Sequence, residues 1–185
     1  MDFNGIAEKY VQTIKAILLC GDNKCFEPAL RLLYSAIDSL SWLYSEQMDL
    51  KKREVKKEYE KWVNDFLIPK MKKHDYECTA TELYLARCSQ LHTFSAIAKK
   101  QNNTRVVAYV VGDKEILNKS IQSLPEIEKI SEGTKFVIIH IGDLVSSFMD
   151  GTHEFFKLIE NNKELLDKAI IKADSYYVPI DRYIV

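Results

Sequence analysis

The sequence predicts a mainly α fold, a helical bundle with a small two-stranded β element, on three observations. Apolar residues recur at spacings of three and four along most of the chain, the period of a helix face. Two short runs rich in β-branched residues, Arg105 to Val111 and Lys135 to Ile141, break that period and end at Gly112 and Gly142 or just before them. No apolar run approaches the roughly 20 residues needed to cross a bilayer. At 185 residues, with 46% hydrophobic and 29% charged residues, the chain reads as one globular domain over 1–185, able to bury a core without metals or disulfides. The β-containing segment is placed around residues 104–142.

Each element follows from local pattern. The first helix is expected over Phe3 to Leu19, with Ile6, Tyr10, Ile14 and Ile17 on one stripe, and Gly21-Asp22-Asn23 ends it. The second opens near Phe26, with Pro28 in the first turn, and is expected to reach Glu46. Its face carries Leu30, Leu33, Ile37, Leu40 and Tyr44, a core helix. A third, over Lys52 to Ile68, buries Val55, Tyr59, Trp62 and Phe66 and is expected to stop at Pro69. After a polar linker over 70–76, Thr79 or Thr81 can cap a helix running to about Lys99. The two strands follow, with a weak helix between them at Lys114 to Ser123. A helix from Asp143 to Glu160 carries Leu144, Phe148, Thr152, Phe155 and Ile159 on one stripe despite Gly151. A last helix spans Lys163 to Lys172, ahead of a tail through Tyr177 and Pro179.

Composition excludes several function classes. A net charge of −1 argues against coating nucleic acid by bulk attraction, which scales with the phosphates neutralised. Charge is uneven, however: residues 51–73 hold nine basic and four acidic residues, and 113–167 hold six lysines and eleven acids. The first run reads as a solvated helix face or as a phosphate-attracting one. Cys20, Cys25, Cys78 and Cys88 form no CxxC, and His74, His92, His140 and His153 show no metal-ligand spacing, so neither metal nor cofactor is expected. P-loop, GxGxxG, GxSxG and HExxH motifs are absent. The start MDFNGIAEKY lacks the layout of a signal peptide, so the expected location is the cytoplasm, with no membrane partner.

What remains is the helix carrying Arg87 and His92 among Leu83, Tyr84, Leu91 and Phe94. A buried arginine must be satisfied. Residues five apart on a helix differ by about 140° and about 7.5 Å along the axis, so these two are not stacked neighbours. A working pair needs a bent helix, a long reach, or a second copy across a dimer. On the second helix the spacing of Tyr34, Ile37 and Asp38 sets them on adjacent edges of one face, so that Asp38 or Tyr34 is expected within reach of Arg87 or His92.

The run Leu83-Tyr84-Leu85-Ala86-Arg87-Cys88-Ser89-Gln90-Leu91-His92-Thr93-Phe94, with the Ile37-Asp38 pair, resembles uncharacterised bacterial members of the HEPN superfamily (higher eukaryotes and prokaryotes nucleotide-binding). These are helical bundles marked by Arg, four to six residues, then His. About twelve residues carry the resemblance strongly, and Cys88 stands where a polar residue such as Asn is usual. The resemblance implies metal-independent RNA cleavage in a cleft between two protomers of a homodimer, as a toxin or defence effector. Histidine would then move a proton at neutral pH and arginine would meet phosphate charge, with Asp38, Tyr84 and Tyr34 supporting. Two other readings stand beside it. One is a non-catalytic HEPN-like dimer binding nucleotide, RNA, an antitoxin or another protein. The other is a helical scaffold in which Arg87 simply pairs with Asp38.

Overall fold

A computed structural model describes residues 2–92, 105–131 and 133–176; the side chains of His92, Ser175 and Tyr176 fall outside that description. The order is α1 (Phe3–Asp22), α2 (Phe26–Tyr44), α3 (Val55–Trp62), α4 (Ile68–Met71), α5 (Ala80–His92), β1 (Val106–Val110), α6 (Lys114–Gln122), α7 (Leu124–Ile130), β2 (Phe136–His140), α8 (Ile141–Asn161) and α9 (Lys163–Tyr176). The fold is mainly α with one small sheet. Helix α2 is its hub, packing on α1, α3, α5, α8 and α9, with Leu33, Tyr34, Ile37 and Leu40 fully buried. No helix among the described residues is long and apolar enough to cross a membrane.

The two strands pair in parallel, Val106 opposite Phe136 through Val110 opposite His140. Parallel neighbours need a crossover. Here α6 and α7 supply it, and α7, with Pro125 in its first turn, has no counterpart in the sequence expectation. The expected stripes of α1, α2 and α8 are buried as read: Ile6, Tyr10 and Ile17, then Leu30 to Leu40, then Leu144 to Ile159.

Three boundaries differ for physical reasons. Helix α2 stops at Tyr44, two residues early, because Lys172 of α9 reaches over its end. The Lys172 ammonium donates to the carbonyls of Trp42 and Ser45 and to Ser45 Oγ, satisfying carbonyls that a helix end leaves bare. Pro69 does not stop the third helix. A π turn over Val63–Leu67 joins α3 to α4, and the helical path continues to Met71. Such a one-residue expansion loosens the ladder where the proline lacks its N–H. Gly151, which looked like an interruption of α8, is a contact point: a Cβ there would lie 2.7 Å from the Phe66 carbonyl oxygen of the π turn. The expected extension of α5 from Thr93 to Lys99 and the tail from Tyr177 lie outside the described residues.

Candidate functional site

Helix α5 is aimed from its first turn. Thr79 Oγ1 accepts from the Glu82 N–H at 3.2 Å, and Glu82 Oε2 accepts from the Thr79 N–H at 2.8 Å, a reciprocal cap that selects Thr79 over Thr81. Arg105, entering β1, donates through Nε to Glu82 Oε1 at 2.8 Å and ties strand to helix. Burial raises the Glu82 carboxyl, but hydrogen bonds from Arg105 and Thr79 outweigh it and hold the group below the usual range. With that end fixed, Leu83 and Ala86 enter the core and Arg87 faces α2.

The Arg87 guanidinium meets Asp38 of α2, Nη2 to Oδ2 at 3.2 Å, with both side chains mostly buried. Tyr84, one turn earlier, lies beneath the guanidinium at 6.0 Å and packs edge-on against Tyr59 at 5.5 Å. Cys88 Sγ lies 4.0 Å from Arg87 Nη1. Burial pulls the Arg87 pKa down, while Asp38 and Cys88 pull it up by more, so the guanidinium stays charged.

A second arginine completes the cluster. Arg53 Nε donates to Glu58 Oε2 at 2.8 Å, Arg53 Nη2 donates to the Asp38 backbone carbonyl at 3.3 Å, and the same Nη2 stands 3.9 Å from Asp38 Oδ1. Its guanidinium lies over the Trp42 ring at 5.2 Å. Arg53 and Glu58 side chains are each 8% exposed, so they are core groups within a run that composition marks as surface. Two basic and two acidic groups thus share one pocket wall contributed by α2, α5 and the segment leading into α3.

The structure therefore brings Arg87, Asp38 and Tyr84 together. Tyr34 it does not: from the turn of α2 before Asp38, the Tyr34 hydroxyl bonds Tyr109 of β1, and burial raises its pKa. Histidine 92 closes α5, so its backbone is placed on the same helix, while its side chain lies outside the described atoms. Sequence reasoning missed Arg53 and Glu58. The available signal was weak, a lone arginine among lysines five residues before a glutamate. The lysines around them are mostly paired locally, as in Lys57 with Glu54 at 2.9 Å and Lys61 with Asp65 at 3.0 Å. Exposed pairs of this kind contribute little, but they lower the free positive charge of the run.

Elsewhere, His140 serves as the N-cap of α8. Its Nδ1 accepts from the Asp143 N–H at 3.4 Å and its Nε2 lies 2.8 Å from the Gly112 carbonyl, which assigns the proton to Nε2. Tyr76 donates to Asp143 Oδ2 at 2.7 Å and accepts from the His140 N–H at 3.1 Å. This is a fully engaged structural joint between the sheet and α8. Among the described residues no group of three His, Cys, Asp or Glu could hold a metal ion. Compared with models of protein families, with curated proteins and with solved structures, the chain matches none.

Proposed function

We propose that the chain is a HEPN-like protein acting as a metal-independent endoribonuclease of toxin or defence type, with Arg87 and His92 as its catalytic pair. The observation that carries this reading is the setting of Arg87. Its guanidinium is charged, oriented by Asp38 at 3.2 Å, and borne on the helix that also carries His92. An arginine so held presents a fixed fork to a phosphate, so little ordering is needed on binding. In the proposed reaction the ribose 2′-hydroxyl attacks the adjacent phosphorus and the 5′ oxygen of the next nucleotide departs. A histidine with a pKa near 6.5 can take the first proton or supply the second, while Arg87 meets the growing charge on the phosphoryl oxygens. A single α5 helix places residues 87 and 92 on different faces, so the complete site is proposed to form across a homodimer.

The test is cleavage of single-stranded or loop RNA by purified protein in EDTA. Products ending in 2′,3′-cyclic phosphate, blockage by a 2′-deoxy residue at the cut, and loss of roughly 100-fold or more in His92→Ala and Arg87→Ala would support it. Equal cutting by folded His92→Ala would refute it.

A second reading, a non-catalytic dimeric module that binds nucleotide, RNA, an antitoxin or another protein, is favoured by one feature. The Arg87 charge is already balanced by Asp38, as in a structural pair. Under this reading the protein binds its ligand without cutting, and Asp38→Asn weakens the fold without changing ligand affinity.

A further inference from the structure

We propose that Arg87 and Arg53 form a two-armed oxyanion site whose resident occupant is the Asp38 carboxylate, and that a phosphate group binds by taking that carboxylate's place. This rests on the reading of Arg87 as a phosphate-binding residue, but it concerns binding alone. The two guanidinium groups converge on one carboxylate from different elements: Arg87 on Oδ2 at 3.2 Å and Arg53 toward Oδ1 at 3.9 Å. A carboxylate between two arginine forks marks a position suited to a phosphate oxyanion, which presents the same oxygen spacing with more charge.

Both arms stay in place when the carboxylate leaves. Arg53 is held by Glu58 at 2.8 Å, by the Asp38 main-chain carbonyl at 3.3 Å and by the face of Trp42, and none of these needs the Asp38 side chain. Arg87 keeps the Tyr84 ring beneath it. The Asp38 carboxylate, by contrast, is loosely held on one side: its Oδ1 is buried and makes no hydrogen bond among the described residues. It is also the most exposed of the four charged side chains, at 18%, so exchange opens toward solvent. The four groups balance to neutrality. Withdrawal of the carboxylate leaves one uncompensated positive charge in a poorly hydrated wall, and such a charge is costly until an anion returns. Asp38 thus keeps the site stable when empty and weakens it toward phosphate, and its removal strengthens phosphate binding.

Asp38→Asn isolates this effect, because the amide keeps the shape and one acceptor while deleting the charge. Thermal unfolding at constant ionic strength is followed against inorganic phosphate and, separately, dimethyl phosphate, a diester with one charge. The expected result is that phosphate raises the unfolding midpoint of Asp38→Asn well beyond its effect on wild type, with affinity about tenfold higher or more, equivalent to 1.4 kcal/mol. Adding Arg53→Gln to Asp38→Asn should remove the gain. Stabilisation by both probes assigns the site to phosphodiesters as well as free phosphate, and stabilisation by inorganic phosphate alone restricts it to terminal phosphates; either supports the exchange. Equal phosphate effects on wild type and Asp38→Asn would overturn it, as would weaker binding by the variant, which would make Asp38 a positioning residue. Should Asp38→Asn not fold, Asp38→Ser takes its place. Folding of either only in phosphate supports the proposal, and failure of both at every phosphate concentration shows that the carboxylate cannot leave. No RNA is present, so failure of the nuclease reading is scored separately.

Discussion

The contact between Asp38 and Arg87 makes a quantitative prediction about stability that must be known before any loss of activity is interpreted. At 3.2 Å, with an effective dielectric of about 20, the two charges attract by about 5 kcal/mol. Desolvation of both groups takes back most of that. Cutting a fully buried pair at one side costs about 3 to 5 kcal/mol, because the remaining charge has no partner. Here Asp38 is 18% exposed and Arg53 stands 3.9 Å from its other oxygen, so the orphaned carboxylate keeps some water and a second cation. Arg87→Met is therefore expected to cost about 1 to 3 kcal/mol. The assay is urea unfolding of wild type, Arg87→Met, Asp38→Asn and the double variant. The double variant should be more stable than the sum of the single losses implies, by about 1 to 2 kcal/mol, since neither charge is left without the other. Additivity within about 0.5 kcal/mol would show that the pair is geometrically close but energetically uncoupled, and the argument for a fixed arginine would fall.

Further predictions follow from other parts of the fold. Gly151→Ala should lower stability by about 1 to 3 kcal/mol, because the new methyl meets the Phe66 carbonyl oxygen at 2.7 Å and outweighs the helix-propensity gain of up to about 1 kcal/mol; an unchanged urea midpoint would contradict this close approach. Lys172 gives a pH signature. Burial pushes its ammonium down to about 8, against Glu58 and Glu46, so the unfolded chain holds this proton more firmly than the folded one between about 8 and its ordinary 10.5. Wild-type stability measured relative to Lys172→Met should therefore rise through that window by on the order of 1 kcal/mol per pH unit, and a flat difference would mean that the three acceptors keep the amine charged. Light scattering at micromolar concentration should give a dimer, and a monomer would remove the proposed two-fold site.

The helices were legible because their apolar stripes repeat over several turns, and α2 and α8 buried the residues their spacing marked. What the sequence did not show is interaction across distance. Nothing local to Tyr44 announces that a lysine 128 residues later will end its helix, and nothing local to Pro69 shows that a π turn ahead of it absorbs the missing donor. Gly151 looked like a flaw in α8 because a glycine's use for close approach is visible only once the opposing carbonyl is known. Helix α7 escaped notice because seven residues with Pro125 in the first turn give too few turns for a period to register.

The site divides along the same line. The pairing of Arg87 with Asp38 was reachable because each residue lies on a helix whose buried face could be read, and two packed core helices bring such faces together. Arg53 and Glu58 were not reachable, since they sit in a run whose composition says solvent. Their burial depends on the chain between α2 and α3 folding back across Trp42, a tertiary event with no period. Yet these two decide the electrostatics. With Asp38 and Arg87 alone, the pair is a closed neutral contact and favours a purely structural role. With Arg53 added and Glu58 holding it, the same carboxylate has two cationic neighbours and one unfilled oxygen, and the contact becomes one that an incoming phosphate can contest.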